Sequence, residues 1–267
     1  MTRRPADAVR AGRGWEAALI GTLLALSAIA WFATGHLGGS DMRVGPLTGG
    51  ASMSSMPGMG ASTGMMGLFL VTWVVMMVAM MFPAIVPVVI TFDRWVRRAR
   101  RPRSATMTFV GGYLLVWTGF GLVVYAAVVY FQPRLPMGDG AIRLGAALLI
   151  LAGVYQLTPL KSRCLRQCRS PLAFVAQHTS QLRRGGLATA RVGVIHGAFC
   201  LGCCWALMLV LVLLGMMSLS WMAAVAGVIF IEKVVPRGSV VTLAVAVILV
   251  GLGFALVVSP RALPTLA

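Results

Sequence analysis

The stretch HGAFCLGCCW, residues 196–205, sets one histidine and three cysteines between almost wholly apolar flanks. Thiolate and imidazole are ligands of Zn²⁺, and soft sulfur selects Cu(I). Drawn as a helix at about 100° per residue, Cys200 falls roughly 40° from His196 and Cys203 roughly 20° to the other side. Cys204 falls at roughly 80° and Met208 at roughly 120° on the same wheel. One helix face therefore carries His196, Cys200, Cys203, Cys204 and Met208. His196 and Cys200 have the i, i+4 spacing at which two side chains meet. A single membrane cysteine reads as a small polarizable packing residue. Three of them within residues 200–204, one turn after a histidine, read better as metal ligands.

Three further stretches carry sulfur. In TPLKSRCLRQCRSP, Cys164 and Cys168 are spaced i, i+4 among Lys161, Arg163, Arg166 and Arg169. Two thiolates satisfy the linear coordination that Cu(I) accepts, whereas Zn²⁺ wants two more ligands, with His178 the nearest candidate. The blander reading is a pair of idle thiols on an interfacial helix. In MSSMPGMGASTGMMG, Met53, Met56, Met59, Met65 and Met66 sit in a Gly/Ser-rich stretch with no core to fill. Thioethers bind Cu(I) without forming disulfides, although a plain linker or a cap on helix ends would also use such residues. VVMMVAMMFPAIVP places Met76 with Met80, and Met77 with Met81, at i, i+4. Sulfur then lines adjoining stripes of one helix, where methionine otherwise serves as packing filler. Pro83 and Pro87 are expected to kink that helix.

The elements that must position these residues follow from composition. Of the 267 residues, 59% are hydrophobic and 11% charged, against about 25% charged in soluble domains. Several apolar runs reach the roughly 20 residues that carry a helix across a bilayer. The fold class expected is an all-α polytopic transmembrane bundle of about seven spans, with six to eight compatible with the runs. Backbone groups in lipid must bond within their own segment, which requires helices. The spans are expected at 15–36, 66–92, 105–131, 141–160, 187–214, 216–235 and 239–258. The first reads as a retained span, since residues 17–33 exceed the length of a signal-peptide apolar core.

The net charge of +17 is unevenly placed. Arg3, Arg4, Arg10 and Arg13 lie at the N-terminus, six arginines in 93–104, and seven Lys or Arg in 161–191. The loops on the other side hold Arg43 and Arg134. This is the positive-inside pattern, so the N-terminus is expected in the cytoplasm and the chain in the bacterial inner membrane. No aromatic-interleaved basic surface accompanies the charge, which argues against a nucleic-acid partner. The domain organisation expected is a basic tail at 1–14 followed by one membrane domain at 15–260. That domain carries a Met-rich external loop at 37–64 and a Cys-bearing cytoplasmic segment at 161–186, where disulfides are disfavoured. Glu232 and Lys233 are expected to reach the interface at the end of the sixth span.

On AMMFPAIVP, YQLTPLKSRCLRQCRSP, HGAFCLGCCWALM and WMAAVAGVIFIEKVVPRG, the chain resembles a family of bacterial integral membrane proteins predicted to bind metal, defined by a domain of unknown function. The resemblance covers roughly residues 70–238 and implies a membrane fold and metal binding, with no established activity. The external methionine loop lies outside it and is more loosely similar to the methionine motifs of eukaryotic copper uptake proteins.

The leading functional expectation is copper(I) handling, by transport or delivery across the membrane. Thioethers outside, methionines in the second span, His and Cys in the fifth, and two thiolates inside would form a series of increasing ligand strength. No P-loop pattern is present. The expected partners are the metal ion, the bilayer, and a cytoplasmic metallochaperone or a membrane subunit. Two alternatives stand beside it. One is a thiol–disulfide/quinone oxidoreductase using Cys200 and Cys203, which form C-x-x-C. The other is an assembly factor with structural zinc.

Overall fold

The computed structural model of the protein describes residues 5–37, 63–102, 104–131, 134, 139–184, 186–215, 218–235 and 238–258. Met53, Met56 and Met59 lie outside the described residues. Ten α-helices and no strand occur among the described residues. They are α1 (Pro5–Leu37), α2 (Thr63–Arg98), α3 (Ser104–Phe131), α4 (Asp139–Gln156) and α5 (Pro159–Arg169). Then follow α6 (Pro171–Gln177), α7 (Thr179–Leu182), α8 (Gly186–Leu214), α9 (Leu219–Val234) and α10 (Gly238–Val258). Each of the seven expected spans coincides with one of these helices to within a few residues at most boundaries.

Five helices are long and apolar enough to cross a membrane: α1 over Gly14–His36, α2 over Met66–Arg98, and α3, α8 and α10 throughout. A sixth arises if α4 and α5 are taken as one broken span, bent by 60°. The surface of these helices suits lipid. Ile29 and Phe32 on α1, Leu115 and Val123 on α3, and Val240, Val247 and Phe254 on α10 all point outward and are exposed. Water would penalise such a surface, whereas acyl chains do not. The chain is a multi-pass membrane protein. At 16 residues, α9 is shorter than these five and falls outside that group.

Helix ends follow local chemistry. Thr158 caps α5, its hydroxyl accepting from the Lys161 N–H, and Pro159 occupies the first turn where a missing N–H is harmless. The break at Leu157–Thr158 turns the chain from apolar α4 into α5, whose Arg163 and Arg166 are exposed while Cys164 and Cys168 point inward. In α2 the helix runs on through Pro83 and Pro87.

Close approach of α3 and α8 sets the centre of the bundle. Gly112 lies against the backbone of Ala190 and Val194, Gly193 against that of Phe109, and Gly197 against Val116 and Tyr113. The matching order of these contacts makes the two helices parallel. A Cβ at Gly112 or Gly193 would collide with main chain, which yields less readily than a side chain. Small residues allow the dispersion contact that drives helix association in lipid. The α4–α10 pair uses the same device, with Gly153 against Ala246 and Val250, and Gly253 against Ala146 and Ile150. Here the order is reversed, so the helices are antiparallel.

Candidate metal centre

Cys200 lies 14 residues into α8, about 21 Å along its axis. Several helix ends meet α8 at this level. The Tyr155 hydroxyl, from the last turn of α4, donates to the Gly202 carbonyl. The last turn of α9 supplies Glu232 and Lys233, and the Arg169 guanidinium at the end of α5 donates to the Val235 carbonyl just after α9. Cations near helix C-termini are favoured by the negative end of the helix dipole, which suits Lys233 in the last turn of α9.

The sulfurs gather here. Cys168 Sγ of α5 is 4.0 Å from Cys203 Sγ of α8. That contact joins α5 to the HGAFCLGCCW stretch of α8. Cys203 and Cys204 Sγ also donate to the Cys200 carbonyl, at 3.0 and 2.8 Å, as thiols one turn on along a helix can. Cys164 is seated on Gly202, where a Cβ would come within 2.7 Å of its sulfur. That glycine is what allows α5 to lie close on α8. All five cysteines are buried and free.

Two polar groups address Cys200 directly. Lys233 Nζ donates to its sulfur at 2.9 Å, and the Tyr113 hydroxyl is 3.1 Å away. Both residues are buried. Beside them Lys161 Nζ donates to both oxygens of Glu232, at 2.9 and 2.8 Å, and to Gln156 Oε1. Lys161 is 1% exposed and Glu232 2%, so the pair is an interior one. Burying two charges is tolerated only when they are paired and hydrogen-bonded, as these are.

His196 sits one turn before Cys200, enclosed by Phe109, Tyr113 and Phe174. Its Nδ1 has no hydrogen-bond partner among the described residues. His178 also packs on Phe174, ring centroids 4.6 Å apart, with its Nδ1 against the Phe174 carbonyl at 2.8 Å. Met208 is buried further along α8, and Met76, Met77, Met80 and Met81 fill the interior side of α2. No group of three or more His, Cys, Asp or Glu side chains among the described residues is arranged to hold a metal ion.

Several expectations are corrected by this arrangement. Cys164 and Cys168 do not stand apart from the α8 cysteines. They are buried on α8, and Cys168 joins the cysteines of HGAFCLGCCW. The expected series of two thiol stations is therefore one cluster. Glu232 and Lys233 do not reach out to an interface: both are buried, and Glu232 pairs with Lys161 rather than with its neighbour or an arginine. His178 is turned to Phe174 rather than to Cys164. Asp93, at the start of the basic hairpin, is fully buried. It pairs with Arg97 and accepts from Trp15 and Thr106. Sequence reading passed over Tyr113 and Lys161 as partners of the site. The one available signal was an ionisable residue inside an apolar run, which applies to Lys233 and Glu232 but not to these two.

A family model described as copper chaperone, PpoB2, matches residues 70–256, well over half of the chain. The chain belongs to that family. No curated protein and no solved structure matches it. The PpoB2 match begins after α1 and the methionine-rich loop. It contains all five cysteines, His196, Met76, Met77, Met80 and Met81, and the buried Lys161, Glu232 and Lys233. The loop bearing Met53, Met56 and Met59 lies outside the matched residues.

Proposed function

We propose that this protein carries copper(I) as cargo, held by Cys200 together with Cys168 or Cys203, and passes it on by ligand exchange. The observation that carries the reading is the convergence of Cys168 on the α8 cysteines. It brings together sulfurs 35 residues apart in sequence, in a buried setting that excludes competing water. The donor set fits the ion. Soft thiolates prefer Cu(I), whose low coordination number two sulfurs can satisfy. Zinc, which takes four ligands in structural sites, is the poorer match. The copper chaperone family supports the choice of metal.

In this reading the chain has seven spans, with α4 and α9 included, and the basic N-terminal tail and residues 161–186 face the cytoplasm of a bacterial inner membrane. Residues 15–260 form one membrane domain. The methionines of loop 37–64 collect the ion outside, and Met76, Met77, Met80 and Met81 lead it inward. His196, Cys204, Cys164 and Met208 flank the holding site as exchange ligands. A cytoplasmic metallochaperone or a membrane subunit receives the ion. Such movement is transport or delivery rather than enzymatic turnover.

The test is metal content of protein purified in detergent and loaded with Cu(I) under reducing conditions. About one tightly held equivalent is expected, lost in Cys200→Ser and weakened in Cys168→Ser. A metal-refractory protein that instead forms a reversible Cys168–Cys203 or Cys200–Cys203 disulfide would replace this reading with the dithiol one. In proteoliposomes, uptake should fall in Met77→Leu with Met81→Leu while binding at the cysteines persists; unchanged uptake removes the methionine route.

A further inference from the structure

The charges buried around the sulfurs do not cancel. Lys161 and Glu232 neutralise one another at 2.8 Å. That leaves Lys233, 6% exposed, with its ammonium on Cys200 Sγ. The carboxylate next to it in sequence is already taken by Lys161. Asp93 belongs to a different cluster, bonded to Trp15, Thr106 and Arg97. Tyr113, the other neighbour of the Cys200 sulfur, is a neutral hydroxyl. Among the described residues the buried fixed charge around the sulfurs is therefore one positive unit, with the part-exposed Arg169 guanidinium engaged at the Val235 carbonyl, and cysteine can supply the negative charge against Lys233.

We infer that Lys233 makes this site select a monovalent over a divalent metal ion by fixing the charge that the bound ion must complete. This inference rests on the copper reading above. Two cysteine thiolates contribute two negative charges and Lys233 one positive, leaving a deficit that a single-charged ion fills. Cu(I), or Ag(I) as its redox-inert analogue, brings the buried site to neutrality. Zn²⁺ or Cd²⁺ on the same two sulfurs leaves one uncompensated positive charge in a low-dielectric interior, which is heavily penalised. A third thiolate could offset that charge, but Cys204 spends its S–H on the Cys200 carbonyl, and no three-ligand group exists among the described residues. The lysine also holds Cys200 in place when no ion is bound. It is a positioning and selectivity residue, since its ammonium cannot itself ligate a metal.

The experiment measures Ag(I) and Cd(II) binding to detergent-purified protein by competition, with cadmium–thiolate absorbance as a second readout. Wild type should prefer Ag(I), and Lys233→Arg should keep that preference because the charge is retained. Lys233→Gln and Lys233→Met should shift the Ag(I)-to-Cd(II) preference by roughly 100-fold toward the divalent ion, the scale of an uncompensated buried charge. A neutral variant that binds both ions with the wild-type ratio overturns the inference, as does Lys233→Arg behaving like Lys233→Gln. Should the neutral variants fail to fold, Lys233→Arg alone still decides it, by keeping or losing the monovalent preference. Wild type that binds neither Ag(I) nor Cu(I) through its cysteines removes the copper reading itself, an outcome distinct from an unchanged ratio in the variants.

Discussion

Two clusters of charge invite comparison, one part-exposed and joining α1, α2 and α3, the other buried around the sulfurs of α5, α8 and α9. In the first, Asp93 is fully buried and pairs with Arg97 at 3.1 Å while accepting from Trp15 Nε1 at 3.1 Å and Thr106 Oγ1 at 3.2 Å. Glu16 binds Arg94 at 2.8 Å and also Arg97. Two carboxylates meet two guanidiniums, and neutral donors complete the set. This is a closed staple that ties the first three long helices together. Around the sulfurs two ammonium groups meet one carboxylate, and thiol chemistry supplies the rest. A cluster balanced by carboxylates has nothing left to bind. One balanced by thiolates has ligands that a soft cation can claim.

That contrast can be broken in order of expected effect. Lys161→Met should be the most damaging, because it strands Glu232 inside the bundle, at about 3–5 kcal/mol of stability. Thermal unfolding in detergent reads this, and the double variant Lys161→Met with Glu232→Leu should recover most of the loss. A single variant as stable as wild type would mean that water reaches the pair. Asp93→Asn should cost about 1–3 kcal/mol, the scale of a weakened buried hydrogen-bonded charge. Its Cu(I) stoichiometry should remain that of wild type, and a change there would join the two clusters functionally. Glu16→Gln should alter stability by no more than about 1 kcal/mol, since Arg94 is 55% exposed and solvent screens the bond. A larger loss would show that the staple depends on its outer rim as well as on Asp93.

Much of the scaffold was legible from the sequence. Each apolar run became a helix because the pattern is local and lipid permits few alternatives to intrachain hydrogen bonding. Gly193 and Gly197 give α8 a close-approach surface, and α3 occupies it. The candidate site was legible only in part. HGAFCLGCCW announced sulfur and imidazole, yet its partners came from elsewhere. The basic residues around Cys164 and Cys168 suggested a cytoplasmic segment with a thiol pair of its own. The pair is instead joined to the α8 cysteines because the helix period turns Arg163 and Arg166 outward and both thiols inward onto α8.

By itself, the sequence determined the helical elements, the membrane-suited surface and the concentration of soft ligands, since composition and periodicity act over a few residues at a time. Only the tertiary structure decided that Cys168 meets Cys203, that Glu232 is bound to Lys161, and that Lys233 is left to Cys200. Those pairings depend on how α5 lies against α8 over Gly202 and on where α4 and α9 end. No local rule reaches across the 35 residues between Cys168 and Cys203 or the 71 between Lys161 and Glu232. The stretch HGAFCLGCCW thus supplies the sulfur, and the packed helices around it supply the charge that the sulfur must balance.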